Sequence, residues 1–281
     1  MIHLDDVSRT FGTPDGGSYR ALDRISFSIA AGTFCAIVGP SGCGKSTLLN
    51  IMAGLIPPSS GALRVGGAEL TGVNRRATYM FQQDALLPWK DVRDNVALGL
   101  TLAGVARAEA HARADAWLER VGLTAFRRHF PSQLSGGMRK RVTMAQNWII
   151  DRDVLLMDEP FSALDIHTRQ RMEAELLGLW ESSGEAPRGG AADTRLDESR
   201  TGRKTIVFVT HDLEEALALA DRVIVLSAGP ASRVVSDHVV AIARPRDLLE
   251  LRTQPGFLDL YRTVWADLRD EVIKSQREAH G

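Results

Sequence analysis

Three features of the chain predict an α/β fold with a buried, largely parallel sheet. Residues 154–157, 206–209 and 223–226 are short, fully apolar runs, the pattern of strands covered on both faces. Residues 33–38 form another apolar run, which leads through a glycine-rich turn into good helix formers. Between these strands the chain from about Trp89 to Ile150 reads mostly as helix, and strands alternating with helices imply an α/β sheet.

In chain order, residues 22–30 and 33–38 are short and contain β-branched or aromatic side chains, which predicts strands. The stretch from Ser46 to Met52 is helical in pattern. Gly54 follows at its C-terminal cap, and Pro57-Pro58 bars continuation. Within 89–150, residues 107–121 carry Ala, Leu and Trp117 among charges, and Gly136-Gly137 opens a second helical segment that runs through Ile150. A helical subdomain is expected there. Residues 181–203 are dominated by glycine, serine and charge, with Leu196 the one large apolar side chain, so they bury too little surface to offset chain entropy. A flexible surface insertion is expected. After Pro230 comes a β-like piece at 232–242. Charged helical segments follow, with Leu248, Leu249 and Leu251, then Phe257, Leu260, Tyr261, Val264, Trp265 and Leu268 at the spacing of an amphipathic helix. That tail can regulate, dimerise or cover the sheet.

Composition narrows the function classes. The chain has 281 residues, 44% apolar and 25% charged, which suits one large soluble domain or two at roughly 150 residues each. Its 34 basic and 35 acidic residues leave a net charge of -1, which argues against a nucleic-acid partner, whose electrostatic footprint is basic. No run approaches the roughly 18 apolar residues of a membrane span, and Met1 to Asp6 lacks the basic and apolar regions of a signal peptide. The expectation is a cytoplasmic chain. Cys35 and Cys43 alone support neither a disulfide framework nor a four-ligand zinc site, so both are read as reduced thiols.

Gly39-Pro40-Ser41-Gly42-Cys43-Gly44-Lys45-Ser46 fits the phosphate-loop pattern G-x-x-x-x-G-K-[ST], and it stands between a strand and a helix as that chemistry requires. Glycines let the backbone wrap phosphate oxygens, and the following helix offers unpaired N–H groups and its positive end. Lys45 would supply a point charge to the β and γ phosphates, and Ser46 a hydroxyl to Mg2+. Cys43 has no Cys or His partner nearby, and its place in the loop is set by backbone shape.

Asp158-Glu159 ends an apolar strand at the edge where open α/β sheets bind ligands. Asp158 would hold Mg2+ through water, and Glu159 would polarise the attacking water. Adjacent side chains on a strand point to opposite faces, so both acids reach one site only where the pleat breaks, and Pro160 enforces that break.

Leu134-Ser135-Gly136-Gly137-Met138, upstream of these acids, resembles the signature motif of ATP-binding cassette (ABC) transporter ATPases. Other matches follow the family's order. Phe81-Gln82 resembles the Q-loop, Ser162-Ala163-Leu164-Asp165 the D-loop and Val209-Thr210-His211-Asp212 the H-loop, while Phe11 resembles the aromatic residue stacked on adenine. Leu86-Leu87-Pro88-Trp89, the loop through Thr47 and Asp158-Glu159-Pro160-Phe161 look most like the nitrate, sulfonate and taurine importer branch.

The resemblance implies a P-loop NTPase fold, an ABC-type core with a mixed sheet and an inserted helical signature subdomain. It divides the chain into an ATPase domain at 1–229 (core 1–88 and 151–229, helical subdomain 89–150, insertion 181–203) and a C-terminal extension at 230–281. It also implies a head-to-tail dimer on the cytoplasmic face of the membrane. There, each ATP lies between one copy's phosphate loop and the other's Ser135, Gly136, Gly137 and Asp165. Permease subunits, and through them a solute-binding protein, would be the partners. A Ser-Gly-Gly turn opening a helix presents a hydroxyl and N–H groups, which suits capping of a γ-phosphate. His211 would contact that phosphate and fix the geometry of Glu159. The Gln82 amide oxygen would meet Mg2+ and the water. Trp89 is either core or coupling surface.

Departures from the family pattern are Lys140 where glutamine is common, Gln146-Asn147-Trp148 in place of an Ala/Arg-rich stretch, and Arg152 in place of a common proline. All are expected behind the site. Two rival readings are a soluble cassette ATPase and a non-catalytic nucleotide-dependent regulator. The first usually brings coiled coils or a second cassette, neither visible here; intact Glu159 and His211 oppose the second.

Overall fold

The computed structural model describes residues 1–162, 164–182 and 202–278. Its first part runs β1 (Ile2–Gly12), β2 (Ser18–Ile29), β3 (Phe34–Val38), α1 (Lys45–Met52), β4 (Ser60–Val65), β5 (Ala68–Glu69) and β6 (Ala77–Met80). Helices α2 (Val92–Leu102), α3 (Arg107–Arg120) and α4 (Gly136–Trp148) come next. The rest is β7 (Val154–Asp158), α5 (Ile166–Ser182), β8 (Thr205–Thr210), α6 (Leu213–Leu219), β9 (Arg222–Leu226), β10 (Val234–Val239), α7 (Leu248–Leu251) and α8 (Pro255–Glu278). Most of the expected insertion at 181–203 lies outside the described residues, as does Ala163.

The sheet is mixed, as expected. Five strands run parallel in the order β9-β3-β8-β7-β6, and β10 joins β9 antiparallel. A second, antiparallel sheet has the order β2-β1-β4-β5. Alternation along the parallel strands separates two cores. Phe34, Ala36 and Val38 of β3 face a core with Leu155, Met157 and Phe208, covered by α5, α6 and α8. Cys35 and Ile37 face the other, where Leu156, Val207 and Val209 meet α1 and the antiparallel sheet. A period of two on strands buried on both faces makes both sides apolar, which is why these runs read as continuous hydrophobic stretches.

Helices α2, α3 and α4 share a third cluster, built on Val92, Val96, Leu118, Val142 and Ile149. Helix α4 also sends Met144 and Trp148 into the first core, so it belongs to both. The tail covers the sheet, one of the three roles left open for it. Strand β10 extends the edge, and Phe257, Val264 and Leu268 of α8 are buried in the first core. Among the described residues, no helix is long and apolar enough to cross a membrane.

Because β3, β8, β7 and β6 are parallel neighbours, their C-terminal ends lie along one edge of the sheet. The residues just past those ends are Gly39 onward, His211, Glu159 and Gln82. Topology therefore gathers four separate pieces of sequence at one place.

Candidate active site

The glycine-rich loop leaves β3 with Gly42 and Gly44 in the left-handed region (φ 78° and 89°), where a side chain would strain the backbone. Gly39 has a different reason to be glycine: a Cβ there would lie 2.7 Å from Cys43 Sγ and 3.1 Å from the Leu226 carbonyl oxygen. Lys45 is only 6% exposed, and its ammonium donates to the carbonyls of Gly39 (2.8 Å) and Pro40 (2.9 Å), holding its charge inside the loop. Helix α1 begins at Gly44 without a side-chain cap, so its first N–H groups stay available to an anion. Burial pushes the Cys43 thiol up, which fits a packed, reduced side chain.

At the end of β7, Ser46 Oγ donates to Asp158 Oδ1 at 2.9 Å and the Tyr79 hydroxyl approaches Asp158 Oδ2 at 3.4 Å. Burial raises the Asp158 carboxyl against the pull of these two bonds. Burial also raises the Tyr79 phenol, and the Asp158 charge adds to the effect, so Tyr79 stays a donor.

The next residue, Glu159, has φ 43°, an unfavourable conformation for a side chain of its size. Its N–H still donates to the Val209 carbonyl (3.0 Å). The turn therefore begins at Glu159 itself, one residue before Pro160, and it brings adjacent acids to one site. Gln82 Nε2 donates to Glu159 Oε2 at 3.1 Å, and His211 Nδ1 lies 3.4 Å from Glu159 Oε1. Lys45, Ser46, Asp158, Glu159, Gln82 and His211 are thus gathered along one sheet edge.

Other predicted site residues stand apart from this group. Ser135 caps α4, its Oγ accepting from Met138 N at 3.3 Å, with Gly136 exposed beside it. Asp165 caps α5 by accepting from Thr168 N at 3.0 Å, and bonding to Thr168 holds its carboxyl low. Phe11 lies on the antiparallel sheet under the Arg9 guanidinium, 4.6 Å from its ring centroid. Trp89 is 71% exposed, which excludes the core alternative.

Lys140 requires a correction. Expected behind the site, it is buried and its Nζ donates to the Gln82 carbonyl at 2.7 Å. Trp148 is likewise part of the central core. Sequence reasoning also missed Tyr79, Asp84 and Arg169. Arg169, whose N–H donates to the Asp165 carbonyl one turn earlier, pairs with Asp212 at 3.1 Å and so joins the turn that follows β7 to the loop that follows β8. Only the departure at Lys140 was visible as a signal.

The oxygen set suits a hard divalent cation. Ser46 Oγ and Asp158 Oδ1 already converge, and hydroxyl and carboxylate oxygens are the donors Mg2+ takes alongside substrate phosphates. Among the described residues, no three His, Cys, Asp or Glu side chains cluster as an all-protein metal site, so phosphates would have to complete the shell.

The chain is similar to known proteins along most of its length. The family model described as ABC transporter matches residues 22–162. A taurine import ATP-binding protein of Rhizobium johnstonii is 41% identical, with 95% of this chain and 96% of that one covered. A nitrate import ATP-binding protein of Synechococcus elongatus is 37% identical over 92% of this chain and 88% of its own. Among solved structures, the dimeric post-hydrolysis state of an ATP-binding cassette bound to ADP and Pi superposes with a TM-score of 0.70 at 29% identity. It covers 86% of this chain and 100% of its own.

Proposed function

Because this chain belongs to the ABC transporter family, we propose that it is the ATP-hydrolysing subunit of an importer, working as a head-to-tail pair that drives a permease. The observation that carries this reading is Glu159, held between Gln82 and His211 while its neighbour Asp158 is bonded to Ser46.

The loop N–H groups and Lys45 bind the phosphates, and the first turn of α1, which has no side-chain cap, adds its positive end. Ser46, Asp158 and the Gln82 amide oxygen would hold Mg2+, which when bound neutralises charge on the β and γ phosphates. Glu159 aligns water and accepts its proton; His211 and Gln82 keep the carboxylate in place. Phosphoryl transfer passes through a loose transition state, so positioning and charge neutralisation do most of the work.

Ser135, Gly136 and Gly137 of one copy close on the γ-phosphate held by the other, with that copy's Asp165 beside them. Phe11 stacks on the adenine, and the loop through Thr47 encloses the phosphates. Trp89, exposed beside Pro88, contributes to the surface that meets the permease at the cytoplasmic face of the membrane. A solute-binding protein delivers the cargo, a solute of the nitrate, sulfonate or taurine kind; the relatives' names specify taurine and nitrate.

Turnover and nucleotide binding by the purified protein test the assignment. Glu159→Gln is expected to bind ATP normally and lose at least about a hundredfold in turnover. Lys45→Ala is expected to weaken ATP binding itself by about tenfold or more. Wild-type turnover by Glu159→Gln removes Glu159 as the base, and an inactive wild-type protein ends the reading.

A further inference from the structure

The Gln82 peptide is tied to α4, the helix that the signature turn opens. Lys140, 3% exposed on α4, donates from Nζ to the Gln82 carbonyl at 2.7 Å and lies 3.3 Å from Asp84 Oδ1. Arg139 takes the other side of the same carboxylate, with Nε 3.1 Å from Asp84 Oδ2, and its Nη1 donates to the Leu134 carbonyl at 2.8 Å. One carboxylate just past Gln82 therefore engages two cations on α4, and one of those cations also grips the start of the signature turn.

A buried ammonium is tolerated only when paired and hydrogen-bonded, and Lys140 has both kinds of partner. Its geometry is narrow: the compact charge must meet a carbonyl and a carboxylate together. A shift of α4 relative to the sheet would be transmitted to the Gln82 backbone and from there to Nε2, 3.1 Å from Glu159. A flexible surface pair would absorb such a shift, whereas this buried one does not.

We propose that Lys140 is a positioning residue: with Asp84 as its counter-charge, it sets the distance between Gln82 and Glu159 and so couples the seating of the signature helix to hydrolysis. The inference rests on the reading of Glu159 and Gln82 given above. It assigns Lys140 a role through Gln82, with no contact to nucleotide.

The test uses steady-state ATP turnover by the full chain, with thermal unfolding measured on the same samples. Lys140→Met keeps the length and removes the charge. It is expected to lower kcat about tenfold or more, with KM for ATP within about threefold, because the phosphate loop is untouched. Lys140→Arg, which restores the charge on a larger planar group, is expected to recover part of the loss, and Asp84→Asn to fall between wild type and Lys140→Met. A Lys140→Met protein with wild-type kcat overturns the proposal. So does one whose kcat and KM fail together without rescue by arginine. If Lys140→Met does not fold, Asp84→Asn decides: wild-type kcat overturns the proposal and a selective fall in kcat supports it. A wild type without turnover, or unchanged turnover in Gln82→Ala, ends the underlying reading. An active wild type slowed by Gln82→Ala but not by Lys140→Met ends only the inference.

Discussion

At Gly54 the backbone turns left-handed (φ 68°) just past α1, and a Cβ there would sit 1.9 Å from the Gly72 carbonyl oxygen. Asn74 closes the same corner, donating from Nδ2 to the Met52 carbonyl and from its N–H to that of Ala53. Gly136 is the contrasting case: a Cβ there would meet only Arg139 Nη2, at 3.9 Å, and its φ is ordinary. The two alanine substitutions should therefore separate fold from chemistry. Gly54→Ala is expected to lose about 2–4 kcal/mol, read as a lower urea midpoint at unchanged m, because backbone must move. Gly136→Ala is expected to hold or slightly raise stability while lowering ATP turnover, since on the proposed reading its bare backbone faces a phosphate. Equal loss of stability in both would contradict this division.

The element that carries the H-loop is held by a buried acidic residue. Glu215 on α6 accepts from Thr210 Oγ1 at 3.3 Å, and its Oε1 has no hydrogen-bond partner among the described residues. Burial, and the charges of Glu173 and Asp212 next, raise its carboxyl well above the ordinary range. Arg252, from the tail, answers Glu173 at 2.8 Å, and Arg169 answers Asp212. The folded chain thus holds the Glu215 proton more tightly than the unfolded chain does. This contribution to stability is complete below the unfolded value of about 4.3, and it is lost as pH rises through the folded one. Glu215→Gln is accordingly expected to melt above wild type at pH 8, with the difference in Tm closing as pH falls toward 4. A difference independent of pH would mean that Glu215 is not held protonated by the fold.

At the scale of the whole molecule, α4 is the member shared by two cores. Val142 and Ile149 pack with α2 and α3, while Met144 and Trp148 enter the central core. Its N-terminal turn, with Ser135 and Gly136, is exposed, and so is the Asp165 corner at the start of α5. Those two exposed turns are the surfaces the proposed pair would bury against nucleotide. Glu159→Gln with MgATP is expected to elute near twice the monomer mass and to return to monomer when ATP is replaced by ADP. Adding Ser135→Arg is expected to abolish the larger species without unfolding the chain, since that side chain only caps its own helix. A nucleotide-independent mass for both proteins would count against closure around shared ATP.

The phosphate loop, the paired acids and the buried strands were legible because each is a contiguous pattern: glycines at fixed spacing, a carboxylate pair ending an apolar run, side chains hydrophobic on both faces. Local sequence also marked the start of α1 and the amphipathic face of α8. The contacts of Tyr79, Asp84 and Lys140 were not legible, because each meets its partner on another element. Tyr79 arrives through the register of β6 on β7, where it lies opposite Leu156, two residues before Asp158. Lys140 arrives through the packing of α4 across the sheet. Residue type and spacing follow from the chain itself, whereas the meeting of charges far apart in sequence depends on strand order and helix packing, and only the folded arrangement decides those.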